Sequence, residues 1–318
     1  MKIFRSWQPV PPSWRGGAIT VGNFDGVHLG HEQIIAETRG HALEIQGPAI
    51  AVTFEPHPRA VLFPDEAPRR LCHLHERLEL LARCGLDATL LLHFTRQLAV
   101  WTAETFIRQL HATLGFRHIH AGYDFAFGRD RSGDARLLRR MGDDLGFTVS
   151  IAQAFELEGA IVSSSRIRSA IEAADFRLVE KLLGRPYSIS GHVGHGDKRG
   201  QQLGFPTANL NIKDLAHPPV GIYAVKASTK EWTWNGAAYL GFRPTFGGRT
   251  LVLETHVFDD HPDLYRKRLT VTFIERVRED RAYSSAEALS RQIQEDCRIA
   301  RLILDRWDAE HAGSRQHP

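Results

Sequence analysis

An α/β domain followed by an all-β domain is what the sequence predicts, and three observations predict it. Between Ala18 and about Gly184, short apolar runs alternate with amphipathic stretches of helical period. After Arg185-Pro186 the period shortens to two, and Gly, Pro, Asn and Asp turns separate one strand-like run from the next. The length, 318 residues, suits two domains of ordinary size. The expectation is a doubly wound parallel-sheet domain over residues 1–185. A small β-barrel domain with a C-terminal helix should occupy 186–318.

Each element has its own signal. The strand-like runs of the first half are Ala18–Gly22, Ala49–Phe54, Ala88–Phe94, His118–Asp124 and Phe147–Ala154. Helix-like stretches lie between them, such as Ala103–Leu114 and Ala135–Leu145, each preceded by an N-cap residue, Thr102 or Asp134. Two short helices close this half, one entered through Ser163-Ser164-Ser165 and one capped by Asp175. In the second half Tyr187–Val193, Gly221–Ala227, Ala237–Gly241, Leu251–Phe258 and Leu269–Val277 read as strands. The last helix begins at Ser284-Ser285-Ala286-Glu287, a capping-box pattern, and carries Leu289, Ile293, Ala300 and Leu304 on one face. The tail from about Ala309 is polar and expected to fray.

Composition removes several function classes. Hydrophobic residues make up 42% and charged residues 24%, the balance of a soluble globular chain. Mean hydropathy is −0.28, and no apolar run approaches the ~20 residues needed to span a bilayer. The first nine residues lack the apolar core of a signal peptide, which predicts a cytoplasmic protein. Lys+Arg 40 against Asp+Glu 37 leaves a formal charge of +3, with the charges interspersed. That argues against nucleic-acid and membrane partners. Self-association is undetermined by the sequence. Cys72, Cys84 and Cys297 form no disulfide framework. Cys72-His73-Leu74-His75 with Cys84 matches no zinc spacing, and Leu74, Leu78, Leu80 and Leu81 read as the apolar face of a helix.

The first candidate site is Gly22-Asn23-Phe24-Asp25-Gly26-Val27-His28-Leu29-Gly30-His31, between the first strand and the first helix. Ligands of open parallel sheets bind beyond the carboxyl ends of the strands, which is where this turn falls. Gly22, Gly26 and Gly30 allow backbone to approach a phosphate, and a helix N-terminus offers oriented N–H donors. His28 and His31, three apart, share a helix face and can address one anion. Glu55-Pro56-His57-Pro58 and Gly122-Tyr123-Asp124-Phe125-Ala126-Phe127-Gly128 follow later strands. Val162-Ser163-Ser164-Ser165-Arg166-Ile167-Arg168 brings hydroxyls and arginines to another helix start, a second anion site suited to a triphosphate.

Together the G-N-F-D-G-V-H-L-G-H turn, T-F-E-P-H-P, G-Y-D-F-A-F-G and S-S-S-R-I-R resemble the FMN adenylyltransferase module of bifunctional prokaryotic FAD synthetases. The resemblance implies that His28 and His31 hold ATP phosphates and the transition state. It implies too that Asn23, Asp124, Ser164 and Arg168 line the nucleotide and flavin sites. Gly22, Phe24, Asp25, Gly26, Gly30, Pro56, Pro58, Phe125 and Ser165 complete the candidate pocket. Ser165 stands where the family pattern has threonine.

The second candidate site begins at the glycine loop Gly194-His195-Gly196-Asp197-Lys198-Arg199-Gly200. No P-loop or protein-kinase motif is present, so Gly196, Lys198 and Gly200 are the candidate phosphate cradle. Leu203-Gly204-Phe205-Pro206-Thr207-Ala208-Asn209-Leu210 follows, in which Thr207 and Asn209 offer oxygen ligands of the kind Mg²⁺ accepts. Alternation along Val252–Phe258 places Glu254 and His256 on one face, with Leu253 and Val257 on the other. Facing a barrel interior, Glu254 is a candidate general base; facing solvent, it is an ordinary surface carboxylate.

L-G-F-P-T-A-N, Gly221-Ile222-Tyr223, R-P-T-F at 243–246 and L-E-T-H at 253–256 resemble the riboflavin kinase module of the same bifunctional enzymes. The resemblance covers about Ala18 to Leu304, with the motifs in family order. It implies that Thr207 and Asn209 hold Mg-ATP, with Gly204 and Pro206 beside them, and that Glu254 is the catalytic base. Gln201 stands where the pattern has arginine, and Tyr239 where it has a small polar residue.

The expected function is two ATP-dependent steps on flavins: riboflavin to FMN, then FMN to FAD with release of pyrophosphate. Mg²⁺ is the expected cofactor, and riboflavin, FMN and ATP are the small-molecule partners. One rival keeps the HxGH chemistry with another acceptor, such as a phosphopantetheine or nicotinamide nucleotide, and leaves the barrel motifs unexplained. The other rival is a flavin- or nucleic-acid-binding protein without catalysis, against which stand intact His28, His31 and Glu254.

Overall fold

The structure is a computed structural model and describes residues 1–194, 204–245, 248–259 and 263–312, the side chains of 243–245, 248 and 249 apart. It divides into two compact units, Met1–Ser164 and Ser165–Pro318. On sequence the line falls after Arg185, 21 residues later. Helices α7 (Ser164–Glu172) and α8 (Phe176–Leu183) therefore group almost wholly with the second unit.

The first unit is built on six parallel strands. In chain order these are β1 (Lys2–Phe4), β2 (Ala18–Val21), β3 (Ala49–Glu55), β4 (Ala88–His93), β5 (His118–Ala121) and β6 (Thr148–Ile151). Their order across the sheet is β1-β4-β3-β2-β5-β6. Helix α1 (Leu29–Glu44) follows β2; α2 (Pro58–Leu62) and α3 (Leu74–Arg83) follow β3; α4 (Arg96–Ala99) and α5 (Ala103–Leu114) follow β4; α6 (Ala135–Leu145) follows β5. A two-residue hairpin, β7 (Glu156–Leu157) with β8 (Ala160–Ile161), lies outside the sheet.

Alternation along the strands gives the sheet two buried faces. Ile19, Val21, Ile50, Val52, Leu90 and Leu92 pack with Phe106, Ile107, Leu110 and Leu138, the inward stripes of α5 and α6. Ala18, Ala49, Ala51 and Leu91 pack with Ile35, Ala42, Leu78 and Leu81 from α1 and α3. The small alanines on this second face leave room for helices to lie close. Thr102 and Asp134 cap α5 and α6 as expected, accepting from Thr105 N and Leu137 N. β2 and β5 are sheet neighbours although β3 and β4 intervene in sequence, so the switch point of the topology lies between them.

In the second unit β9 (Ser188–His192), β10 (Ala208–Asn211), β11 (Gly221–Ser228), β12 (Thr233–Thr245), β13 (Gly248–Val257) and β14 (Arg268–Glu279) form an antiparallel sheet in the order β10-β13-β12-β11-β14-β9. An antiparallel bridge between Gly194 and Asn209 joins the two edges and brings the sheet close to a closed barrel. Tyr187, Tyr223 and Phe273 fill its interior with α8's Phe176, whose ring stacks on Phe273 at 5.6 Å. α9 (Ala286–His311) covers the outside with Ala300, Ile303 and Leu304.

Three differences from the sequence expectation have physical reasons. β1 is too short for an alternating pattern and exists because β4 offers it a parallel edge. β10 is hidden in a ligand-like motif. The cap of α9 is Ser285, which accepts from Ala288 N, one residue past the Ser284 of the expected box.

Candidate active sites

The first site is a strained turn. Phe24 (φ 49°), Gly26 (φ 79°) and Val27 (φ 40°) all take positive φ, which a β-branched valine adopts only where its surroundings force it. A Cβ on Gly26 would stand 2.7 Å from the Leu71 side chain, so packing as well as φ requires glycine. The turn is tied down on each side. The Asp25 carboxylate accepts from Leu71 N at 3.0 and 3.2 Å, and the Asp25 carbonyl accepts from the Ser164 hydroxyl at 3.0 Å. The Asn23 carbonyl accepts from Thr53 Oγ1 at 3.2 Å and from the buried Arg77 Nη1 at 3.0 Å. Arg77 Nη2 also reaches the Phe54 carbonyl at 3.0 Å and Glu55 Oε2 at 2.7 Å, while Arg70 takes Glu55 Oε1 at 3.2 Å.

His28 is the N-cap of α1, its Nδ1 accepting from His31 N at 3.3 Å. The two imidazoles stack at 3.6 Å and 16°, and Phe24 meets His31 edge-on at 5.2 Å. Burial holds the His31 imidazole well below its ordinary pKa, and the facing His28 ring adds to this. His31 Nδ1 is buried with no hydrogen-bond partner, an orphan nitrogen at a helix N-terminus.

The turn after β2 and the segment after β5 flank the switch point. Asn23 and Asp124 are exposed there, whereas Phe24 and Asp25 are buried in the turn's own support. Phe125 stacks on Phe127 at 5.0 Å. Pro56 and Pro58 are half-buried in the bend after β3, where His57 caps α2. Ser164 reaches the turn; Ser165 and Arg168 fall in the second compact unit.

The second site lies on the half-buried face of β13. Leu253, Thr255 and Val257 are buried, while Glu254 and His256 share the other face. Asn209 stands opposite Glu254 in the β10–β13 ladder, and Tyr239 opposite it in the β12–β13 ladder. Residues 204–207 cross this face: Thr207 Oγ1 donates to Glu254 Oε2 at 3.3 Å, His256 Nδ1 bonds the Pro206 carbonyl at 2.9 Å, and Phe205 meets the His256 ring at 5.5 Å. Asn209 Nδ2 donates to the Thr207 carbonyl at 3.3 Å. Gly204 takes positive φ at the start of the crossing. Gly196, Lys198, Gly200 and Gln201 lie outside the described residues, as does Phe246. Tyr239 is half-buried, its hydroxyl donating to Asp280 Oδ2 at 3.2 Å.

The chain matches family models described as FAD synthetase over residues 10–166 and as riboflavin kinase over residues 183–304. It is 43% identical over 305 residues to the bifunctional riboflavin kinase/FMN adenylyltransferase of Pseudomonas fluorescens, which covers 95% of this chain and 98% of that protein. The protein of that description from Escherichia coli K12 is 38% identical over 304 residues, 95% of this chain and 97% of that one. The chain belongs to the bifunctional riboflavin kinase/FMN adenylyltransferase family. A crystal structure described as a macrolide-efflux protein from Streptococcus pneumoniae has the same fold, with TM-score 0.83 and 28% identity over 95% of this chain and 99% of that one. Among the described residues no helix is long and apolar enough to cross a membrane.

Within this bifunctional family chain, sequence reasoning found the turns and missed their supports. Arg77 and Leu71 are not among the residues the sequence singled out, although Leu74, Leu78, Leu80 and Leu81 of the same segment read as a helix face. Only a buried guanidinium reaching a carbonyl 54 residues away reveals the role.

Proposed function

We propose that this chain converts riboflavin to FMN and FMN to FAD, each step using ATP, with the kinase on the barrel and the adenylyltransferase on the parallel sheet. The observation that carries the reading is the register of β10 and β13, which sets Asn209 beside Glu254 and brings the Thr207 hydroxyl onto the same carboxylate. Hydroxyl, amide and carboxylate oxygens in one cluster are hard donors that fit Mg²⁺, which Thr207 and Asn209 would hold. Bound there with ATP, the ion would neutralise phosphate charge.

In the kinase step Glu254 takes the proton of the terminal ribityl hydroxyl. That oxygen bonds to the γ-phosphorus as the bond to ADP breaks. In the second step an FMN phosphate oxygen, already anionic, bonds to the α-phosphorus of ATP and pyrophosphate leaves, so no protein nucleophile is needed. His31, kept neutral by burial, serves there as a hydrogen-bond donor, and His28 and the amides of α1 complete the anion site. Asn23, Asp124 and Ser164 are the proposed nucleotide and flavin contacts of the first unit. Phe24 and Asp25 act as braces of the turn. The boundary between the activities is placed near Arg185. The reactions belong in the cytoplasm, where ATP is made.

The test is chromatography of products from riboflavin with Mg-ATP and, separately, from FMN with Mg-ATP. FMN then FAD should appear in the first, and FAD with pyrophosphate in the second. Consumption of ATP with another phosphorylated acceptor but not with FMN would replace the adenylyltransferase reading.

A further inference from the structure

Helix α1 and strand β5 bring together three histidines that neither proposed activity uses. His118 and His120 alternate along β5 and leave the sheet on the same face, toward α1 and His41. Thr148 and Ser150, their β6 partners in register, share that face. One ring nitrogen from each of His41, His118 and His120 lies within 4.8 Å of the other two. Three ring nitrogens also converge on one oxygen. Ser150 Oγ is 2.6 Å from His120 Nδ1, 2.8 Å from His118 Nε2 and 3.2 Å from His41 Nε2.

The outward nitrogens decide what faces inward. His120 Nε2 lies 2.7 Å from Glu37 Oε2, and His41 Nδ1 lies 3.4 Å from Glu44 Oε2. A carboxylate only accepts, so a proton on the outward nitrogen of either ring would leave the inward nitrogen as a lone pair free to ligate. Thr148 Oγ1 lies 2.7 Å from His118 Nδ1 and 3.3 Å from the Arg117 carbonyl, and is the outer oxygen of the third ring. Ser150 has one hydroxyl proton to share among the three ring nitrogens around it. Three ring nitrogens that close on one point, each ring with an oxygen at its outer side, form an arrangement a bound cation can occupy. Outer oxygens that fix the tautomer of each imidazole are the usual support of metal-ligating histidines.

We propose that His41, His118 and His120 bind one borderline divalent transition-metal ion of the Zn²⁺ class, with the Ser150 hydroxyl or a water as fourth ligand. His41 is about a third exposed, which leaves a path for entry and room for its ring to close on the ion. The ion would clamp α1 to β5. His41 lies ten residues beyond His31, about 15 Å along the helix, so the site is separate from the strained turn.

The test uses the untagged full-length chain, stripped with chelator and titrated with Co²⁺ without nucleotide, then with Zn²⁺ in competition. One Co²⁺ per chain should bind with the intense visible band of four-coordinate cobalt. His41→Gln should abolish that band with the far-UV circular dichroism unchanged, and His28→Ala should retain it. Glu37→Gln keeps all three ligands and should weaken binding ~10–100-fold. No band in the parent chain, or a band that survives His41→Gln, would overturn the proposal and leave a hydrogen-bond network centred on Ser150.

Discussion

The Thr207 hydroxyl donates to the Glu254 carboxylate at 3.3 Å across 47 residues of sequence, and so couples the proposed metal-holding segment to the proposed base. Glu254→Gln preserves shape and a hydrogen-bonding group but cannot take the ribityl proton. Riboflavin phosphorylation should fall ~10²–10⁴-fold with Mg-ATP affinity nearly unchanged, and FAD formation from supplied FMN should continue. Thr207→Ala should instead weaken Mg-ATP binding as well as turnover. Steady-state kinetics with varied Mg-ATP separates the two patterns, and equal loss of both activities in Glu254→Gln would refute the assignment.

His31 should contribute a pH dependence to stability. Its folded pKa lies below the ordinary 6.5, so between these values the unfolded chain binds the proton that the folded one refuses. The group's contribution is therefore complete above pH 6.5 and is lost as pH falls toward the folded value. Urea midpoints of His31→Asn at pH 5.5 and 7.5 should differ less than those of the parent. His31→Ala should slow adenylyl transfer by ~2–4 kcal/mol and leave the kinase rate intact.

Arg77 braces the strained turn from a buried position. Its fork holds the Asn23 and Phe54 carbonyls and Glu55 together, a geometry that a lysine ammonium cannot span. Arg77→Lys should destabilise the first unit by about 3 kcal/mol and reduce adenylyl transfer at temperatures where the chain remains folded. Circular dichroism melts alongside both activities provide the check; a variant with normal FAD synthesis would show that the brace is only structural.

Fragments should report which division of the chain is energetically real. A fragment of residues 165–318 retains α8 and the Phe176 ring stacked on Phe273, whereas residues 185–318 lose both. The shorter fragment should be less stable by at least ~3 kcal/mol, the usual cost of deleting a buried phenylalanine. If both phosphorylate riboflavin and melt together, α8 is dispensable to the barrel.

Local chemistry was legible in the sequence wherever neighbours along the chain decide the outcome. Thr102, Asp134 and Asp175 each cap the helix expected of them, because a cap needs only a side-chain oxygen three residues before an amide. The alternation that sets Glu254 and His256 on one face likewise follows from the strand's period of two. The glycine-histidine turn at the head of α1 was readable for the same reason.

Tertiary structure alone decided what those residues meet. Asp296, which the sequence did not single out, is buried by the fold against Arg278 at 2.6 and 2.7 Å. Glu254 acquired Asn209 and Tyr239 only when β10 and β12 paired with β13, and His41 met His118 only when α1 packed on β5. Periodicity states which face a side chain takes. The partner on that face comes from strands and helices tens of residues away, whose register is set by burying the whole core at once.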